Sequence, residues 1–166
     1  MDRNIQLIYE KINKYKSKKF YIDFSKIIKN KIGFKLLTLT VIDNTLSYVE
    51  RVYTTNYKIY PLLGIKPIPN NDWKNIVIRK KKNYFLKTQK EIKKIFFDYD
   101  IIFSLECGSI INYLVMFEGH HLGTINILHK ENYYTTKHIN NLKKYSNLLI
   151  PFFLKHQQQM KKNKYE

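Results

Sequence analysis

The stretch that most limits the fold is residues 110–128, IINYLVMFEGHHLGTINIL. Residues 110–117 are rich in β-branched and aromatic side chains and hold no breaker. Glu118-Gly119 follows, and Gly119 can take the positive φ that a tight hairpin needs. Residues 121–128 then return. Gly123 sits early in this second run, where a missing side chain lets another backbone or a ligand come close. After the hairpin a polar stretch, 132–136, leads into an apolar-periodic helix that Thr135 or Thr136 can cap.

Length and composition set the outer limits. A chain of 166 residues is expected to form one domain with a real core. It has no apolar run of the length a membrane-crossing helix requires, and its first residues lack the apolar centre of a secretory signal. The expected location is therefore cytoplasmic, with no membrane partner. The lone cysteine, Cys107, can form neither an internal disulfide nor a zinc cluster. The net charge of +17 invites a nucleic-acid reading. Yet the chain has no alanine and is crowded with Lys, Asn, Ile, Tyr and Phe, as AT-rich coding favours. The lysines are read as a solvated coat, and nucleic acid is not the expected partner.

Along the chain, Ile5, Ile8, Ile12 and Tyr15 give residues 4–15 an amphipathic helical stripe. A second helix spans 22–31, and Gly33 stops it. Strands are expected over 34–42 and 46–54, joined at Asp43-Asn44. In the first, Leu37, Leu39 and Val41 alternate with Thr38 and Thr40; in the second, Tyr48, Glu50 and Val52 oppose Val49, Arg51 and Tyr53. Residues 55–73 combine Pro, Gly and Asn with aromatic side chains, which suits an ordered lid. A short helix over 73–80, capped by Asn71 or Asp72, a strand at 84–86 and a helix over 89–97 come next. Residues 98–104 read as a connection. The closing helix spans 136–154, with Pro151 kinking or ending it. The implied division is an N-terminal helix within 1–20, a main domain over 21–155 and a polar, fraying tail over 156–166.

Candidate site residues stand out against the compositional bias. Arg51 is one of only three arginines, with Arg3 and Arg79, and its planar fork suits a carboxylate or phosphate. Its alternative is a surface pair with Glu50 or Glu118. Trp73, Tyr53 and Tyr60 can form an aromatic wall, with Arg51 and Tyr53 sharing a strand face. Cys107 and Ser109 flank Gly108 in a turn whose N–H groups can lower a thiol pKa; the alternative is a small buried side chain. Asn112 and Asn126 are amides in apolar strands, and each needs a partner in a ligand or in the loop above. His120 and His121 read as two exposed histidines pointing to opposite faces, so no metal site is expected.

These features together resemble the GAF family. The hairpin and closing helix match its apolar strand, Gly-containing turn and Gly-x-Leu-x-Leu run at Gly119, Gly123, Ile125 and Ile127. Arg51-Val52-Tyr53-Thr54, Tyr60-Pro61, Gly64, Lys66-Pro67, Trp73 and Cys107-Gly108-Ser109 resemble a set of small stand-alone bacterial GAF proteins. The resemblance implies an α/β (α+β) fold: a central antiparallel sheet, with helices on one face and a loop-covered pocket on the other. It implies a sensory or regulatory module for a polar or anionic metabolite, with Arg51, Tyr53, Tyr60, Trp73, Cys107, Ser109, Asn112 and Asn126 at the pocket. A partner, or a homodimer through helices 4–15 and 136–154, would carry the signal. No bilin-type Cys-His pair is present, and the cofactor is left open. The alternatives are a thiol-dependent reductase-like enzyme using Cys107, which would need an external thiol, and a basic nucleic-acid-binding adaptor.

Overall fold

A computed structural model describes residues 12–62 and 64–162, together with Gln6 and Glu10. Half of the expected helix over 4–15 therefore lies outside the described residues; within them, Ile12–Lys14 forms a single 3₁₀ turn. The hairpin forms as its sequence demands. Ser109–Phe117 (β5) and His120–His129 (β6) are joined by Glu118 and Gly119, with φ of 47° and 78°. Two positive φ values make the type I′ turn, whose twist matches the strands it joins.

Leu36–Ile42 (β1) pairs with β6 and with Tyr48–Thr54 (β2). Ile65–Pro67 (β3) and Tyr84–Leu86 (β4) are the edges of a six-stranded antiparallel sheet ordered β3-β2-β1-β6-β5-β4. The lid stretch thus contributes an edge strand, which three residues ending in proline did not announce. Alternation sends Leu37, Leu39, Val41, Ile125 and Ile127 to one face, and Leu36, Ile110 and Leu128 to the other.

The first face carries the long helices. Ser17–Lys31 (α1) starts earlier than its apolar stripe suggests and ends at Ile32-Gly33, where Gly33 takes φ of +86° and donates to the Ile28 carbonyl. Thr136–Ser146 (α4) begins at Thr135, whose N–H donates to His138 Nδ1. The closing helix is two helices: a 3₁₀ turn, Asn147–Leu149, separates α4 from Ile150–Lys162 (α5). Pro151 lies in the first turn of α5, where a missing N–H is harmless. The tail does not fray at 157. Gln157 is buried and donates to the carbonyls of Ile42 and His121, and Met160 is buried too. Phe20 stacks on Phe152 at 3.8 Å, and Phe24 and Phe153 are fully buried. Truncating a ring of this kind to alanine costs about 3–5 kcal/mol. Gly123 fulfils the close approach expected of it on this helical face. A Cβ there would lie 2.7 Å from the Phe153 ring of α5.

The second face is covered by shorter pieces. Lys74–Arg79 is a π-helical turn, and just before it the Asn71 side-chain oxygen accepts from the Lys74 N–H. Gln89–Ile95 (α2) starts with a Thr88–Glu91 capping box. Residues 98–104, expected as a connection, hold the short helix Tyr99–Ser104 (α3).

Two bulges re-aim side chains. Between β1 and β2, Thr40 faces Arg51 and Leu39 faces Tyr53, so Val52 is one residue too many and the alternation slips. Between β5 and β6, Val115 faces Gly123 and Met116 faces His121, leaving Leu122 extra. This slip turns His121 into the second layer, where its Nε2 lies 3.2 Å from the Val77 carbonyl. His121 is therefore buried, not exposed as the sequence suggested, while His120 is exposed.

Candidate ligand pocket

Register builds the floor of a pocket on the second face. Thr38, Asn126, Asn112 and Tyr84 oppose one another in β1, β6, β5 and β4. Side chains directly opposite on one face touch, so this row forms a relay of hydrogen bonds. Trp73 Nε1 donates to Asn112 Oδ1 at 3.1 Å, and Asn112 Nδ2 donates to Asn126 Oδ1 at 2.8 Å. Asn126 Nδ2 donates to both Thr38 and Thr40 at 3.1 Å. The amides thus bond each other and the lid tryptophan, fixing their orientation. Tyr84 donates to Asp72 at 2.9 Å, and burial raises its phenol pKa above the ordinary value.

Over this floor lies a cavity of about 270 Å³, close to the small end of metabolite pockets. Leu36, Ile110 and Leu128 line it from the sheet, Ile68 and Trp73 from the lid, and Phe96, Asp98 and Ile102 from the α2–α3 segment. A smaller cavity of about 80 Å³ shares Thr40, Val49, Arg51 and Lys66 with it and adds Gly64.

Arg51 lines both cavities. Its Nη1 donates to the Pro61 carbonyl at 2.8 Å, and its guanidinium carbon lies 5.0 Å from the centre of the Tyr60 ring. Its Nε is buried with no hydrogen-bond partner. Burial lowers its pKa from the ordinary arginine value, partly offset by the negative field of Tyr60 and Asp98. Tyr60 donates to Asp98 Oδ2 at 2.8 Å; burial first, and then Asp98, push its phenol pKa well up. Neither Glu50 nor Glu118 holds Arg51. Glu50 instead meets His156 of α5 at 2.8 Å.

The structure brings Arg51, Tyr60, Trp73, Asn112 and Asn126 to this pocket, and leaves Tyr53, Cys107 and Ser109 outside its lining. Tyr53 was expected to share the face of Arg51. The bulge at Val52 turns it to the helical face, where its hydroxyl lies 3.0 Å from Ser25 Oγ and its ring 6.0 Å from Tyr21. Cys107 is fully buried in the apolar cluster under α3, and burial raises its thiol pKa to about 11. It therefore presents no thiolate at neutral pH. Ser109 donates to the Lys130 carbonyl at 2.8 Å and is fully buried. Gly108 lies between them because a Cβ would meet Glu131 at 2.8–3.0 Å. The Cys-Gly-Ser run is thus a joint between α3 and the hairpin. Asp98 and Lys66 were missed as pocket residues. Among the described residues, no three His, Cys, Asp or Glu side chains gather as a metal site, and no helix is long and apolar enough to cross a membrane.

No protein-family model matches the sequence, and no curated protein is significantly similar to it. Solved structures are similar in fold. The GAF domain of a two-component sensor histidine kinase from Bacillus halodurans aligns over 86% of this chain and 96% of its own, at 11% identity and a TM-score of 0.66. A GAF domain/HD domain protein from Geobacter sulfurreducens aligns over 86% and 94%, at 9% identity and a TM-score of 0.64. The photoproduct state of a GAF domain from Synechocystis aligns over 91% and 99%, at 10% identity and a TM-score of 0.56. At such low identity the likeness speaks to architecture, and it agrees with the antiparallel sheet and the helices packed against it. The chain has a GAF-like α/β fold.

Proposed function

We propose that this chain is a sensory or regulatory module that takes a small polar or anionic metabolite into the pocket between the sheet and its lid. One observation carries the reading: a lined cavity of about 270 Å³ in which Arg51 is held beside Tyr60 with a buried, unpartnered Nε. An orphaned buried donor costs about 1–3 kcal/mol, and a small turn of the guanidinium would let a ligand oxygen relieve that cost. The similar folds in a sensor histidine kinase and in a photoproduct-forming domain agree with a sensory role. In this reading the output leaves through the helical face, to a partner or a second copy, in the cytoplasm.

The test is native mass spectrometry of the purified chain, followed by a thermal-shift panel of metabolites. Arg51→Lys keeps the charge and loses the fork. It should weaken an anionic ligand by about 1–3 kcal/mol while lowering the stability of the empty protein by about 1 kcal/mol, for the Pro61 and Tyr60 contacts. Unchanged affinity in Arg51→Lys would remove Arg51 as the anchor.

A further inference from the structure

We propose that the pocket is built for a zwitterion: a small α-amino acid with an apolar side chain, its carboxylate at Arg51 and its ammonium at Asp98. This rests on the ligand-binding reading above and names the ligand class for the same site.

The first observation is that the site is itself a dipole. Arg51 on β2 and Asp98 at the start of α3 both line the cavity, and one residue holds both. The Tyr60 ring lies against the guanidinium, 5.0 Å from centroid to carbon, while its hydroxyl donates to Asp98 at 2.8 Å. Tyr60 therefore touches both charged groups, and no ion pair joins them among the described residues. Opposite charges in contact would leave little for a ligand. Held apart, each keeps capacity. Among the described residues, Arg51 Nε has no partner, and the Asp98 carboxylate takes one hydrogen bond, from Tyr60, where it has about four acceptor sites.

The second observation is the side cavity of about 80 Å³. Thr40, Arg51 and Lys66 around it bring donors, and the exposed Gly64 in its lining adds no side chain. That is room for one carboxylate, and the donors suit one. The third is the main chamber. Leu36, Ile102, Ile110, Leu128, Trp73 and Phe96 supply an apolar wall for the rest of the molecule. The polar row beneath is largely occupied with itself, since Asn126 Nδ2 already meets two threonines. A plain carboxylate would face Asp98 unpaired, and a plain amine would face Arg51. A molecule with both charged groups on one carbon and an apolar body satisfies all three surfaces.

The test is calorimetric titration of the whole chain with L-leucine, with isocaproate, which lacks only the ammonium, and with isoamylamine, which lacks only the carboxylate. Leucine should bind, and each truncated probe should bind about tenfold more weakly or worse, as loss of a charge-assisted hydrogen bond dictates. Asp98→Asn keeps an acceptor for Tyr60 and removes the charge. It should bring leucine and isocaproate within about threefold of each other. Isocaproate binding as tightly as leucine overturns the amino-acid assignment and leaves the ligand-binding reading standing. So does silence from all three probes while another metabolite of the panel binds. If Asp98→Asn fails to fold, the three probes on the unaltered chain decide alone. Silence from these probes and from the whole panel removes both readings.

Discussion

Asn126 is the node of the pocket floor, and replacing it by leucine tests whether the polar row is structural. The side chain accepts from Asn112 and donates to Thr38 and Thr40. Asn126→Leu keeps the approximate volume and deletes all three contacts. Each threonine hydroxyl loses a donor to its oxygen but can still donate its own proton elsewhere, so their loss is small. Asn112 cannot escape so easily. It is 5% exposed, and its amide loses the partner that Asn126 Oδ1 supplied. One lost buried amide bond of about 1 kcal/mol, with an orphaned donor of about 1–3 kcal/mol, gives a destabilisation of about 2–4 kcal/mol. For a chain of this size that lowers Tm by at least about 4 °C. Urea unfolding should show the same change in midpoint with an unaltered m-value. A cycle with Asn112→Ala adds a second reading. Because the two amides share one bond, their effects should fall short of additivity by about 0.5–3 kcal/mol. A melting point for Asn126→Leu within about 1 °C of the parent, or full additivity with Asn112→Ala, would refute the argument.

Three further outcomes follow from the same geometry. Cys107 should react far more slowly than free glutathione with a thiol reagent at neutral pH, since it is buried with its pKa raised to about 11; rapid labelling of the folded chain would restore the thiol-enzyme alternative. Tyr53→Phe removes the hydroxyl beside Ser25 and should cost about 0.5–1.5 kcal/mol of stability without touching ligand affinity, the opposite of what a pocket-wall residue would show. Burial lowers the pKa of His121 below its ordinary value, so the unfolded chain binds a proton more readily than the folded one, and stability should fall as pH drops through about 6.5. His121→Gln should flatten that slope in Tm, and a parent Tm indifferent to pH between about 7.5 and 5.5 would count against it.

The sheet was legible because its signals are local. Alternation in residues 36–42, breakers around Asp43 and the Glu118-Gly119 turn each act within a few residues. That Asn112 and Asn126 need partners was legible, since they are amides in apolar strands, and Asn112 does meet the lid at Trp73; that they bond each other was not. Tyr53 was misplaced because a bulge has no obligatory sequence mark. Val52 is an ordinary strand residue, and only the partner strand decides that it is the extra one. The same holds for Leu122, whose bulge carried His121 inward. Lys66 was hidden by the abundance of lysine, and β3 by its three-residue length. Asp98 was missed because its role depends on Tyr60, distant in sequence and brought near only by the fold.

Both borders of the sheet are stubs. β3 and β4 are each three residues long, and β3 ends at Pro67, which has no N–H to offer. Beyond β4, the Leu114 N–H of β5 is taken by the Asn83 side chain at 2.8 Å. A second chain arriving to extend the sheet would find at most a short run of free backbone groups and a proline at the end of one of them. Growth by strand addition, the route to fibrils for a sequence rich in Ile, Tyr and Phe, therefore has little template here. In this fold, orderly association of copies is favoured through side chains over strand edges.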